Sequence, residues 1–202
     1  MKKLSLVLAA LLLTGSAAAQ TAADSQPTPK PCSEIKPEAK KLARPSPPAC
    51  TDAKFSDGKA ITIEYSRPNI NDPKTHQPRV VWGELVPWGA EWRMGANEAT
   101  TFVTDTDLEV GGTKVPAGSY TLDLLPQQNG PWKLIINKTT GNWGIPYPGA
   151  ASDLARIDMQ TSKTGNKVQQ FTMTLEPPKG KTTKLNREWE NTRASVSIKE
   201  AK

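Results

Sequence analysis

The chain has 202 residues, of which 26 are Lys or Arg and 20 are Asp or Glu, and its formal net charge is +6 at pH 7. A chain of this length fits one domain with or without a tail. The basic residues are scattered, with no run longer than Lys40-Lys41. The clustered basic patch typical of nucleic-acid-binding proteins is therefore missing from the sequence, and we expect no nucleic-acid partner.

The N-terminus has the three-part order of a secretory signal peptide. Lys2 and Lys3 give a positive start, residues 4–13 form an apolar run, and residues 17–19 are small. This order predicts a signal peptide over residues 1–19 that is cleaved before Gln20. An N-terminal anchor is the alternative, but the apolar run is shorter than the roughly 20 residues of a membrane-spanning helix. We expect a periplasmic or secreted protein with no stable membrane insertion.

Residues 20–51 form a proline-rich leader. Proline fixes φ and lacks a backbone donor, so we expect this leader to be disordered apart from a helical turn within residues 34–42. Cys32 and Cys50 are the two cysteines of the chain. In an oxidising compartment such a pair predicts one disulfide. Two cysteines without a nearby histidine make a poor metal site. The sequence therefore implies neither a metal nor any other cofactor.

The proline-rich sequence ends at residue 51, and from residue 52 onward the residue patterns are those of β-strands. Ile61, Ile63 and Tyr65 alternate with polar residues, and further alternating or short apolar runs follow at intervals to the end of the chain. Such short runs separated by turn residues predict about nine or ten strands in an all-β, antiparallel β-sandwich, with a β-barrel as the alternative. Any helix should be short, and residues 86–94 and 152–156 are the two candidates.

Residues 83–102, which we call the signature block, contain the highest density of glycine, tryptophan and polar side chains that are typical of a binding loop. Arg93 presents a fork of donors suited to a carboxylate or phosphate. Asn97 offers both a donor and an acceptor. Trp88 and Trp92 would supply the flat apolar wall that sugars and aromatic ligands need. Together with an upstream arginine, these residues define the candidate ligand-binding set, which comprises Arg67, Trp88, Trp92, Arg93, Asn97, Glu98 and Thr100.

The signature block resembles that of domain-of-unknown-function family 2911, which is found in secreted bacterial proteins. An Arg-Pro pair at residues 67–68 precedes the block, which reads Gly-x-Leu-Val-Pro-x-Gly-x-x-Trp-Arg-x-Gly-Ala-Asn-Glu-Ala-Thr-Thr-Phe over residues 83–102. Residues 116–120 and 143–144 also look like the family. The resemblance covers roughly residues 52–200 and implies no established activity. Two features depart from it, since the loop before Arg79 is longer than expected and Trp88 stands where the family often has Tyr.

Three functions are compatible with these residues. The first is an exported binding module for a small polar or carbohydrate ligand or an envelope component. The second is a structural or interaction protein of the cell envelope, in which Arg93 and Glu98 pair with each other or with backbone carbonyls and Gly95 needs a positive φ. The third is a hydrolase in which Glu98 has a raised pKa and Arg93 supplies electrostatic support.

Other titratable residues give weaker signals. His76 is the only histidine, in a polar loop, and an ordinary loop residue is the simplest interpretation. Acid–base chemistry would need a pair of neighbouring carboxylates, and the candidates are Asp105, Asp107, Asp123 and Asp158. Sequence spacing alone does not bring any two of them together, so ordinary surface acids are the simpler interpretation. No catalytic residue can be assigned, and the sequence fixes neither the ligand nor the oligomeric state.

Overall fold

The computed structural model describes residues 27–202. The predicted signal peptide and the first leader residues, 20–26, lie outside this range. The described chain contains one nine-stranded antiparallel sheet with the order β1-β2-β3-β6-β7-β8-β9-β4-β5. Its strands are β1 Pro48–Lys54, β2 Ala60–Ser66, β3 Thr100–Thr104, β4 Leu108–Val110, β5 Thr113–Val115, β6 Gly118–Leu125, β7 Trp132–Asn137, β8 Asp153–Leu175 and β9 Thr182–Glu200. The predicted all-β class is confirmed, and both a sandwich and a barrel are compatible with this sheet.

The alternation of apolar and polar residues in the sequence correctly predicts the core-facing side of β2. Ile61, Ile63 and Tyr65 point into the core, and Glu64 is exposed. Thr62 breaks the pattern because it is also buried, at 3 % exposure. Its hydroxyl donates to the carbonyl of Lys30 at 2.7 Å, so the leader covers the outer face of the strand at this point.

The sheet bends back so that the second half of β8 returns to the end of β2. The backbone N–H of Phe171 donates to the carbonyl of Pro68 at 2.9 Å, and that of Ile70 donates to Gln169 at 2.9 Å. The Tyr65 hydroxyl meets the backbone of Met173 at 3.1 Å and 2.9 Å. These contacts enclose part of the hydrophobic core and bring together segments about 100 residues apart in the chain.

The described part of the leader is irregular but is tied to the domain. Its regular structure is limited to a 3-10 turn, Cys32–Glu34, and the single-turn helix α1, Ala39–Leu42. The predicted disulfide joins Cys32 to Cys50, with 5.6 Å between their Cα atoms. Strand β1 begins at Pro48, upstream of the expected start of the β domain at residue 52, because residues 48–51 pair with β2.

Neither helix predicted within the domain forms as expected. Residues 86–94 are loop, because Pro87 and Gly89 interrupt the segment and Met94 adopts a left-handed φ of 49°. The second helix is reduced to a 3-10 turn, Ala150–Ser152, before β8. Over residues 27–202 no helix is long and apolar enough to cross a membrane.

Candidate functional site

The signature block folds as a tight loop fixed to the sheet. Trp92 forms an isolated bridge with Leu124, with N···O distances of 2.8 and 2.7 Å. Met94 and Asn97 both have left-handed φ values, of 49° and 60°, which are uncommon outside glycine. The Thr100 hydroxyl donates to the carbonyl of Met94 at 2.8 Å and holds this turn closed. The expectation of a positive φ at Gly95 is wrong. A Cβ there would lie 3.1 Å from the Ser66 carbonyl, so close approach requires the glycine.

A cleft of about 810 Å³, here called the main cleft, opens beside this loop. One wall is apolar: the Trp92 ring stacks on Trp189 at a centroid distance of 5.6 Å and an interplanar angle of 18°. Leu85, Val86 and Ile145 extend that wall. The rest of the lining, here called the polar wall, comes from the loop after β2 and from β8. Its polar members are Asn69, Asn71, Asp72, His76, Arg79 and Gln169.

Three amide side chains form a row along the polar wall. Gln169 Nε2 donates to Asn69 Oδ1 at 2.9 Å and to Asn71 Oδ1 at 3.0 Å. The Asn71 backbone N–H also donates to Asn69 Oδ1 at 2.9 Å. Because these bonds use the asparagine oxygens and the glutamine nitrogen, both asparagine NH₂ groups and the glutamine oxygen remain available for a ligand.

Two arginines line the main cleft without a carboxylate partner among residues 27–202. Arg79 is fixed by donating from Nε to Ile70 O at 3.2 Å and from Nη2 to Asn69 O at 2.5 Å. Arg93 donates from Nη1 to Trp143 O at 3.0 Å, and its Cζ lies 5.7 Å from the Trp143 ring centroid. Burial lowers the pKa of Arg93, opposed by the charge of Glu98. Neither guanidinium uses all five of its N–H donors in these bonds.

Three residues of the candidate ligand-binding set form contacts that stabilise the fold. Arg67 donates to Phe171 O at 3.1 Å and to Thr172 Oγ1 at 2.8 Å, which attaches the end of β2 to β8. Asn97 Nδ2 donates to the leader carbonyl of Ser46 at 2.9 Å. Thr100 is fully buried. None of the three lines the main cleft.

Glu98 faces a different cavity and does not pair with Arg93 as expected. Its carboxylate accepts from Arg44 Nη1 at 2.7 and 3.0 Å and lies 3.5 Å from Lys41 Nζ. Glu98 and Lys41, with the two disulfide cysteines, line a second cavity of about 750 Å³. Burial alone would raise the pKa of Glu98. Its own backbone N–H and Arg44 outweigh burial, so the pKa is lowered. A general acid needs the opposite shift, so the geometry does not favour the hydrolase.

Trp88 belongs to a group of four packed indole rings, here called the aromatic cluster, which comprises Trp82, Trp88, Trp132 and Trp189. The Trp88 ring lies 6.3 Å from Trp82 and 5.9 Å from Trp132. A Cβ on Gly83 would be 2.7 Å from Trp88 Nε1, so the glycine leaves room for the indole. Trp92 and Arg93 are therefore the two members of the predicted set that line the main cleft.

The aromatic cluster surrounds a buried charge that the sequence analysis missed. Arg187 on β9 is 0 % exposed, and its Cζ lies 4.7 Å from the Trp82 centroid and 4.3 Å from the Trp132 centroid. Burial lowers its pKa to about 9, so the guanidinium remains charged at neutral pH. The pattern Leu185, Arg187, Trp189 is a strand alternation that places the arginine inward. This alternation is the signal that could have identified it.

On the other face of the sheet, Asp123 is buried and both its oxygens lack a partner among the described residues. Burial raises its pKa to about 7, helped by the charges of Asp153 and Glu91 and opposed by Arg156. Arg156 is occupied by those two acids, at 2.7 Å to Asp153 and 3.0 Å to Glu91. Tyr147 also donates to Asp153. The surroundings of Asp123 therefore keep its carboxyl group protonated in mildly acidic solution, and the group ionises near neutral pH.

The cleft residues that the sequence analysis missed come from distant segments. Asn69, Asn71 and Arg79 lie in the loop that was noted only for its length, and His76, interpreted as an ordinary loop residue, also lines the cleft. Gln169 and Trp189 come from β8 and β9. The unusual length of the loop was the available signal. Among residues 27–202 no group of three or more His, Cys, Asp or Glu side chains is arranged to hold a metal ion.

Comparison with known proteins identifies the family. Residues 46–198 match the family described as "Protein of unknown function (DUF2911)", and the chain belongs to it. The matched range begins just before β1 and ends within β9, so it includes the sheet and the signature block. Neither the curated proteins nor the solved structures include a match.

Proposed function

We propose that this DUF2911 protein is an exported binding module whose main cleft holds a small carbohydrate or similarly polar ring-shaped ligand. The observation that supports this most directly is that aromatic and amide side chains line the same cleft. Trp92 contributes an aromatic ring to the lining, and the row of Asn69, Asn71 and Gln169 contributes amide groups. A cleft of about 810 Å³ is of the size that small-molecule sites have.

The chemistry of a sugar ring suits these two walls. The axial C–H groups of a pyranose form an apolar patch that packs on an indole ring, and its hydroxyls both donate and accept hydrogen bonds. Asparagine and glutamine amides also offer both functions in a fixed plane. The unused donors of Arg79 and Arg93 add charge-assisted hydrogen bonds to such a ligand. Because the three amide side chains already hold one another in place, a ligand that binds them removes less side-chain entropy from the protein.

The proposal is tested by calorimetric titration of the mature protein with a panel of neutral and acidic mono- and oligosaccharides. We expect saturable binding of at least one of them. Gln169→Ala removes one hydrogen-bonding group and loosens both asparagines, and it should weaken binding about 3- to 30-fold.

Gln160→Ala is the matched control, since Gln160 is an exposed glutamine on the same strand but outside the main cleft. Its affinity should equal that of the wild type. Absence of binding across the panel, or equal weakening by both substitutions, would contradict the proposal.

A second candidate is an interaction protein of the cell envelope. Trp143 and Ile145, of which Ile145 lines the main cleft, are large apolar residues with exposures of 52 % and 63 %. Large exposed apolar groups occur at protein interfaces. If they bind another copy, sedimentation should show association that a Trp143→Ser, Ile145→Ser double variant loses. A protein that is monomeric at high concentration would remove this support for self-association.

Export is the proposed setting of this binding activity. Its basis is the signal-like order of residues 1–19, and the Cys32–Cys50 disulfide suits an oxidising compartment. N-terminal sequencing of the protein recovered from the periplasm or medium of an expressing cell should begin at Gln20. Recovery of the chain with residues 1–19 attached, only from the cytoplasm, would refute it.

A further inference from the structure

The interior of the aromatic cluster contains donors but no acceptor for them. Arg187 Nε, Nη1 and Nη2 are all buried and have no hydrogen-bond partner among the described residues. The same is true of Trp82 Nε1 and Trp189 Nε1. The Trp82 and Trp189 rings are 6.0 Å apart, and Trp82 contacts the guanidinium. Three neighbouring side chains in one buried region therefore carry seven N–H bonds without a partner in the described part of the chain, since a guanidinium has five and each indole has one.

The tryptophan rings stabilise only part of the positive charge of the Arg187 guanidinium. Arg187 Cζ and the centroids of Trp82 and Trp132 form a triangle with sides of 4.7, 4.3 and 4.7 Å. Both rings therefore lie toward one side of the guanidinium, where cation–π attraction acts. N–H bonds on its remaining edge, and those of the two indoles, still need acceptors, because buried polar groups in native proteins are almost always hydrogen-bonded.

No carboxylate among residues 27–202 forms a salt bridge with Arg187. A buried cation without a counter-charge is strongly destabilising. A neutral acceptor such as water would satisfy hydrogen bonds but would leave that charge. An anion would supply both the acceptor and the counter-charge.

We infer that Arg187, Trp82 and Trp189 form a buried binding site for a small inorganic anion of the halide class, such as chloride. The site is separate from the main cleft, since Arg187 and Trp82 are not among the residues lining the cleft. Trp189 contributes to both, with its ring on the cleft side and its indole N–H buried. The anion stabilises the folded protein because the unfolded chain cannot assemble this set of donors.

The test measures thermal unfolding of the full mature protein while sodium chloride or bromide replaces sodium gluconate at constant ionic strength. Gluconate is too large for an enclosed site, so it serves as the non-binding anion. Above the Kd of the halide, the Tm should rise by about 3–6 °C for each tenfold increase in its concentration. Arg187→Met should abolish this rise.

Arg193→Met is the matched control, because Arg193 is an exposed arginine on the same strand and is paired with Glu188. It should retain the full halide effect. A Tm that does not depend on the anion, or an equal halide effect in Arg187→Met, would overturn the inference and leave water as the acceptor.

A second measurement keeps the inference testable if Arg187→Met does not fold. Crystals of the wild-type protein grown with bromide should show an anomalous peak within hydrogen-bonding distance of the Arg187 guanidinium. Absence of a peak at that position would also overturn the site.

Discussion

The buried carboxyl group of Asp123 should make the protein less stable as the pH rises through neutrality. Its folded pKa of about 7 lies above the ordinary value of 3.8, so the folded state holds a proton that the unfolded chain has already released. Stability is therefore complete below the unfolded pKa and is lost between it and the folded pKa. At 1.36 kcal/mol per pKa unit the total loss is about 4 kcal/mol, of which about 3 kcal/mol falls between pH 5 and pH 8.

Asp123→Asn tests this reasoning because an amide resembles the neutral carboxyl group but cannot ionise. The variant should be more stable than the wild type by about 1.5 kcal/mol at pH 5 and by about 4 kcal/mol at pH 8, because the wild type has already lost part of this stability at pH 5. The assay is urea denaturation at both pH values, followed by tryptophan fluorescence with the disulfide intact. Other shifted acids do not obscure the effect, since the pKa values of Asp57, Asp72 and Glu98 are lowered and those groups are ionised at both pH values.

Asp158→Asn is the control for this experiment. Asp158 is an exposed carboxylate paired with Lys133, and its removal should leave the pH dependence unchanged. The reasoning is refuted if Asp123→Asn keeps the wild-type loss of stability between pH 5 and pH 8, or if it is less stable than the wild type at pH 8.

Three further substitutions test the structural contacts by guanidinium denaturation. Removing the disulfide with Cys32→Ser should lower the free energy of unfolding by about 3 kcal/mol, and an unchanged value would show that the leader does not constrain the unfolded chain. Gly95→Ala should cost about 1–3 kcal/mol because its Cβ would press on a backbone carbonyl, whereas Gly165→Ala, with open space, should be neutral; equal effects would contradict the packing argument. Thr100→Val should cost about 1–3 kcal/mol by leaving the Met94 carbonyl without its donor, and a neutral result would show that this bond does not hold the turn.

The sequence predicted the fold where burial follows a local period. Ile61, Ile63 and Tyr65 alternate in the chain and in the sheet, so the strand and its inward face could be read directly. The helix predicted at residues 86–94 does not form. The prediction rested on the apolar residues of this segment, but Pro87 and the left-handed φ of Met94 are incompatible with a continuous helix.

The candidate site could be predicted only in part, because it depends on contacts between distant segments. Trp92 and Arg93 were identified from the signature block, but the amide row requires Gln169 to meet Asn69 across 100 residues of sequence. No spacing rule brings those segments together before the sheet bends back on itself. For the same reason Glu98 was expected to pair with nearby Arg93, whereas the leader supplies Arg44.

Site-resolved NMR titration with a saccharide identified in the panel tests the central claim most directly. The indole N–H signal of Trp92 and the side-chain amide signals of Asn69, Asn71 and Gln169 should shift together and saturate with one Kd. Signals of Asn142, which lines the second cavity, should stay in place. Shifts confined to Asn142 and its neighbours, or no saturable shift in the amide row, would contradict the assignment of the main cleft as the ligand site.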